Sequence, residues 1–555
     1  TKYIGFNKMS LVPHTITAIE RDTADAAATG KQVVVGASCS MFIQPADTVV
    51  ILYDDANGSN GSTAKTTGTN GQVNVYIEKG EYRLETNGIS RFVQVGSADG
   101  ITTTELIAST KIYQIGDVVY TLGYATAGDS AGAQWKLTAV TGQTASQSPA
   151  QLVKALLNDG TGRRWELVRD GNFLELSQLG AFAGDDITLL LQAASSEIGN
   201  NPGAILLPYA DKDNKCLISG TITIRSNTSV IGKSKNLTWL KSANNFAGNI
   251  FRVSSRNNVY FDSFSFDLNG TNNSSGNGIN ISDSTNIILT NIHTSDTVKN
   301  IILIQDSDYV QLHNLTAEGG GYFPDDNRGY ELAGVTNLTA TNISSKNYEG
   351  AGMNLSRCSN CTINGVQFSR DYSSSWTNGF AGVRFSNSTD HVSLTGFIID
   401  GFSRGVTVTT GEGSAGDNRS NNISIGNGII KNSGYSGLWL VAEPLNQENK
   451  TRLISASNIN IENSGLDATG GALDTLDIGI QHADEITISG CTVRGNVQID
   501  GSQSVVLNAL NVRGNIVESS DELNANKNII TSCRVKGSIT TVGANTVAAN
   551  NIAGA

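Results

Sequence analysis

The chain has 555 residues, 39% of them hydrophobic and 16% charged, with a formal net charge of −12. That balance belongs to a globular chain rather than a disordered one. Its acidity offers no general attraction to nucleic acid or to an anionic membrane surface, and a neutral or weakly charged partner is the easier one. Sixty glycines against seven prolines suit many tight corners and few rigid breaks. No apolar run approaches the ~20 residues that span a bilayer, and the opening TKYIGFNKMS does not read as a signal peptide. The six cysteines are scattered and do not form a disulfide framework. Cys358 and Cys361 make a lone CxxC with no second pair, which reads as reduced structural thiols.

Residues 1–98 read as a small β-sandwich-like module. A strand ends at Tyr53, a Gly/Ser/Asn loop follows, and Val73, Val75 and Ile77 alternate before a second strand through Tyr82 and Leu84. It is similar to the modules near the N-terminus of phage tail fibres and spikes. In residues 99–172, GDVVYTLGYATAGDSAGAQWKLT (116–138) sets Val118, Tyr120 and Leu122 on one face ahead of Trp135. This segment resembles the neck module that precedes the solenoid in many tailspikes.

From 173 onward the pattern is that of a solenoid. An acidic corner leads into an amphipathic helix over 186–197, with Asp185 or Asp186 at its N-terminus. The helix would cover the open end of the first coil, which starts at LISGTITIRSNTSVIGKS (217–234). GINISDSTNIILTNIHTSD (278–296), NIILIQDSDYVQLHNLTAEG (300–319), GYELAGVTNLTATNISSKN (329–347), GMNLSRCSNCTINGVQFSRD (352–371) and GVRFSNSTDHVSLTGFIIDG (382–401) repeat one unit. Each is a Gly or Asn, a strand, a polar corner, a second strand, then Asn and a third strand. A strand-only period near 22 residues predicts a right-handed parallel β-helix through 555, with Asn at left-handed corners.

The acidic corner, capping helix and Asn-cornered coils resemble the pectate-lyase-like β-helix of bacteriophage tailspike depolymerases. With the two N-terminal modules, the likeness covers nearly the whole chain. It implies a homotrimer of the virion tail, held to a tail or baseplate protein through its N-terminal modules. Such spikes bind bacterial surface polysaccharide, O-antigen or capsule, and cleave it as endoglycosidases or lyases, without a cofactor. Many members end in a trimerisation domain, whereas this chain ends in what read as further coils.

Coil starts at 278, 300, 329, 352, 382, 405 and 437 leave loops bulging from alternate coils. The loops 319–327 and 371–381 leave the same corner, and the shorter corner between them carries Tyr348 and Glu349. With coils ~4.8 Å apart, the loops form two walls with Glu349 at the floor. Tyr322, Phe323, Tyr372 and Trp376 then either line a sugar cleft or only pin the loops. The middle residue of each first strand points outward, giving Asn280, Ile302, Glu331, Asn354, Arg384, Thr407 and Trp439. That stripe reads as a polar binding floor bordered by Trp439, or as a solvated face with a weak ion pair.

Glycoside hydrolysis needs two carboxyl groups across the scissile bond, one of them protonated. Glu349 and Asp371 arise one coil apart at one corner and form the expected pair, with Glu331 as the alternative partner; Glu318 and Asp400 occupy matching positions suited to binding. A lyase would instead use Arg384 or a nearby Tyr as base, and an adhesin would use the same wall without cleavage. The histidines have no metal-like spacing, DKDN (211–214) and PDDN (324–327) are incomplete calcium loops, and no phosphate loop or nucleophile elbow occurs in context.

Overall fold

In the computed structural model the chain divides into two units, Thr1–Ala181 and Phe182–Ala555. The structure describes residues 172–198, 202–320, 328–347, 351–370, 381–410, 419–442, 451–466, 476–519, 527–542 and 546–554, together with short segments between 12 and 167 that are mostly strands.

The first unit is antiparallel β. Ser38–Ile43 pairs with Gly80–Thr86, which pairs with Ile89–Val95, and Val12–Thr17 pairs with Gln72–Ile77. A separate sheet joins Val118–Thr121, Ala133–Ala139, Arg163–Leu167 and Leu156–Asn158. Trp135 and Trp165 are fully buried, and the Trp135 indole N–H donates to Thr121 Oγ1 at 3.2 Å. Val118, Tyr120 and Leu122 share a face, and it is the outer one: Tyr120 and Leu122 are exposed, while Val119 and Thr121 are buried. The Thr121 hydroxyl, satisfied by the indole and by Ala133, can be buried where a bare apolar count would exclude it.

The second unit is a right-handed parallel β-helix. Thirteen parallel strands, from Ile222–Thr223 to Ile539–Thr540, make its first face. A typical coil runs through Ile279–Ser282, Thr285–Thr290 and His293–Thr297 on its three faces. Alternation explains the core: Ile287 and Leu289, then Val310 and Leu312, then Leu338 and Ala340 stack inward at 0–1% exposure, while their neighbours face out. Each fully buried aliphatic side chain is worth roughly 1.5–3 kcal/mol relative to exposure, so stability accrues coil by coil.

Corners follow from residue type. Among the described residues, eighteen of the thirty-four non-glycine residues with positive φ are Asn, the side chain best suited to that region after Gly. The Asn side chains also ladder between coils: Asn286 donates to Asn258 at 2.6 Å, and Asn258 to Asn227 at 2.7 Å. Tyr309 breaks this ladder with φ 51° and a ring 59% exposed. Tyr309→Asn should therefore raise stability by about 0.5–1 kcal/mol, read as a higher denaturation midpoint.

A glycine stands at the start of six of the thirteen first-face strands for reasons of space. A Cβ on Gly278 would lie 2.1 Å from the Phe266 ring, and one on Gly352 would lie 2.4 Å from the Gly382 carbonyl oxygen and 2.6 Å from the Phe368 ring. Large rings inside one coil occupy the volume that a side chain at these positions would need.

The register corrects one expected coil start. Ile279 pairs with Ile302 and Ile302 with Tyr330, so the coil begins at Ile301 rather than Asn300. Ile302 therefore points inward with no exposure, and Leu303 takes its place in the outward column. The start was obscured because this coil carries Ile301 where its neighbours have Gly. Coil length is uneven: 19 residues separate Ile478 from Val497, and 40 separate Leu438 from Ile478. Coils continue in register through Ile552–Ala553.

The helix spans Thr188–Ile198 and closes the first coil with side chains that imitate a strand. Gln192 accepts the Thr223 N–H at 2.7 Å and donates to the Thr223 carbonyl at 3.3 Å, while Ser195 donates to the same carbonyl at 2.9 Å. Asp186 accepts from the Thr188 N–H at 3.0 Å. Burial alone would raise the Asp186 carboxyl, but hydrogen bonds from Ser219 and Thr188 outweigh it and hold it below the usual range. Asp186→Ala should cost about 1 kcal/mol near neutrality. Because the folded pKa is depressed, this contribution is present above the ordinary Asp value and is lost as pH falls through the lowered one. The mutant and wild-type melting curves should converge in acid.

Candidate functional site

The outward column of the first face runs Asn280, Leu303, Glu331, Asn354, Arg384, Thr407, Trp439 and Gly479, in register across successive coils. Strand spacing sets these positions ~4.8 Å apart along the stack. Glu331, Asn354, Arg384 and Trp439, expected to share a floor, are brought together in this way. Glu331 is the one carboxylate in the column. Although outward, Glu331, Asn354 and Thr407 are 8%, 2% and 3% exposed, so the middle of the column is screened from bulk solvent.

The Asn354 amide nitrogen lies 3.0 Å from each oxygen of the Glu331 carboxylate. Its own carbonyl oxygen Oδ1 and the Thr407 hydroxyl are buried without a hydrogen-bond partner. Most buried polar atoms in native proteins are paired; two orphans fall in this column, while others, such as Thr297 Oγ1 and Ser433 Oγ, lie elsewhere. At the far end, the Arg404 guanidinium stacks over the Trp439 ring at 3.4 Å and lies 5.6 Å from the Tyr435 ring. One face of Trp439 is thereby occupied by a cation, which changes it from an open stacking platform into a clamp that fixes Arg404. Arg404 and Tyr435 were not foreseen. Arg404 lies outside the outward alternation, and its reach to the next coil leaves no periodic trace in the sequence.

Glu318 and Asp400 lie on the third face rather than beside Glu331. They share one column, separated by Lys346 and Ser369. Asp400 accepts from Asn432 at 2.7 Å, as a rung of a corner ladder. Tyr322, Phe323, Tyr348, Glu349, Asp371, Tyr372 and Trp376 lie outside the described residues.

Cys358 and Cys361 are buried free thiols whose sulfurs meet backbone carbonyls, Cys358 that of Leu332 at 3.3 Å and Cys361 that of Ser359 at 3.4 Å. The hydrogen bond from Cys361 holds the Cys358 thiol below its usual range, and the same contact, with burial, pushes Cys361 up. His293 and His313 meet Thr316 and Thr341 at 2.9 and 2.7 Å, and burial chiefly lowers the His293 pKa. Among the described residues no three His, Cys, Asp or Glu side chains gather as a metal site would require, and no described helix is long and apolar enough to cross a membrane.

No family model matches this sequence, and no curated protein matches it. Solved structures of similar fold include the surface adhesin PfbA of Streptococcus pneumoniae, at 14% identity and TM-score 0.45, covering 66% of this chain and 100% of that one. Another is tailspike protein gp49 of the Acinetobacter baumannii bacteriophage Fri1, a capsular polysaccharide depolymerase, at 12% identity and TM-score 0.44, covering 80% and 74%. A third is the A-module of mannuronan C-5 epimerase AlgE6 of Azotobacter vinelandii, at 13% identity and TM-score 0.43, covering 68% and 99%. Likenesses at this level carry no argument about chemistry, which must come from the site itself.

Proposed function

We propose that this chain is a phage tailspike that binds bacterial surface polysaccharide, O-antigen or capsule, and cleaves it by endo-acting hydrolysis. The supporting observation is the screened column from Glu331 to Trp439, which combines a carboxylate, the Arg384 guanidinium and two unpartnered polar atoms. A linear column of single side chains on stacked coils suits a linear polymer better than a compact metabolite. In this reading Glu349 and Asp371 form the acid/base pair, with Glu331 as the alternative partner of either, and Asn354, Arg384, Tyr322, Tyr372, Trp376 and Trp439 bind the glycan. Glu318 and Asp400, on another face, contribute to binding farther out along the polymer. The spike is a homotrimer on the virion tail, held there by residues 1–172, and sedimentation as a monomer at micromolar concentration would remove that part of the reading.

The arginines give a second reading some support. A lyase must offset a uronate carboxylate and abstract a proton, and Arg384, one coil from the clamped Arg404, could serve such a substrate. The test is incubation with a panel of purified capsular polysaccharides and O-antigens. New reducing ends without ultraviolet absorbance support hydrolysis, and new absorbance from unsaturated ends supports the lyase. Neither product, with binding retained, leaves a non-catalytic adhesin.

A further inference from the structure

We propose that Asn354 is the positioning residue of the reaction: its amide nitrogen fixes both oxygens of Glu331, while its carbonyl oxygen accepts a hydrogen bond from a hydroxyl or N–H of the bound glycan. The inference rests on the depolymerase reading and adds a residue role to it.

The orientation of the amide follows from chemistry. An ionised carboxylate only accepts hydrogen bonds, so the group 3.0 Å from both Glu331 oxygens must be the nitrogen of Asn354. Its Oδ1 therefore faces away from Glu331, and this oxygen is the one with no partner. The side chain is 2% exposed, so bulk water does not satisfy it. A sealed acceptor on the outward side of a sheet is costly unless a donor arrives. Thr407, two registers farther along the same column, presents a second sealed and unpartnered polar atom, the hydroxyl Oγ1. Roughly two strand spacings, ~9.6 Å, separate the two positions. A glycan lying along the column carries hydroxyl donors able to reach both.

The same geometry assigns a protonation role. Leu303 precedes Glu331 in the column, Asn354 and Arg384 follow it, and Cys358 lies behind its strand, donating to the Leu332 carbonyl. Two hydrogen bonds to the carboxylate from one side and a guanidinium beyond favour the ionised form. Where Glu331 replaces Glu349 or Asp371 as the alternative partner, it is therefore the base or nucleophile, and the remaining one of those two is the acid.

Asn354→Asp separates the two halves of the proposal because it keeps an acceptor oxygen but loses the donor. Near neutrality two carboxylates face each other and the folded pKa of one rises. The variant should melt below wild type at pH 7 and rejoin it in acid, where a protonated carboxyl again donates to its neighbour. On the polysaccharide that yields new ends with wild type, kcat should fall at least tenfold at pH 7 with KM nearly unchanged. The acidic limb of its pH–rate profile should move upward by about one unit or more. Asn354→Leu, which loses donor and acceptor, should also raise KM. Cleavage by Asn354→Asp at the wild-type rate and pH profile overturns the proposal alone. A melting deficit for Asn354→Asp that is constant with pH overturns the coupling to Glu331. A wild type that cleaves nothing overturns the depolymerase reading and the proposal with it.

Discussion

Glu349→Gln should lower the release of new reducing ends by roughly 10²–10⁴-fold, the usual scale for loss of general acid–base catalysis. Gln keeps the size and most of the hydrogen-bonding capacity of Glu but carries neither the charge nor the exchangeable proton. Asp371→Asn should behave alike, and the double variant should lose far less than the product of the two, since an acid and a base act as a unit. Oligosaccharide binding should persist in all three, because the column from Glu331 to Trp439 is untouched. Trp376→Ala should instead weaken binding with less effect on turnover of bound substrate. If Glu349→Gln and Asp371→Asn both keep more than half of wild-type turnover, the pair is wrong. Glu331 would then need a different partner, including one from another subunit.

The largest expected effect on folding comes from Gly352→Ala. The new methyl group would sit 2.4 Å from the Gly382 carbonyl oxygen of the next coil and 2.6 Å from the Phe368 ring. Neither is the free end of a flexible side chain, so the strand must shift or the ring must move. Overpacking of this kind typically costs 1–3 kcal/mol, sometimes more. Gly352 opens the strand that carries Asn354, so displacement would also carry the amide away from Glu331. The expected result is a lower melting temperature together with lost turnover. Gly319→Ala makes a useful control, since nothing lies within 4 Å of its Cβ position. Its own φ of +65° should cost about 1–2 kcal/mol, so a smaller loss is expected there. Equal losses at the two sites would show that backbone conformation, rather than close packing, governs Gly352.

Much of the architecture was legible because three chemical signals coincide in each coil. Asn marks the left-handed corners, small residues mark close approaches, and two-residue alternation marks the faces. Where one signal failed, the reading slipped by one residue. The coil with Ile301 in the glycine position had its start placed at Asn300, and Ile302 was turned outward when Tyr330 and Ile279 hold it in the core. The Glu331–Asn354–Arg384–Trp439 column was readable because it repeats with the coil. Arg404 was not, since a long side chain crossing to Trp439 obeys packing between coils rather than sequence period. In the first unit, alternation put Val118, Tyr120 and Leu122 on one face but could not tell which face is interior, because a hydroxyl satisfied by an indole can be buried.

The uneven coil length has a consequence for how such a surface can change. Positions paired across one step of the first face are separated by 19 residues in one place and 40 in another, with the same parallel register on both sides. Doubling a closed loop costs only about 0.6 kcal/mol of chain entropy, a small sum beside the burial that each coil contributes. A corner can therefore gain or lose a loop of some twenty residues while the strands above and below it keep their partners. New surface shapes can arise by exchanging corners alone, leaving the wall that holds Glu331 and its neighbours in place.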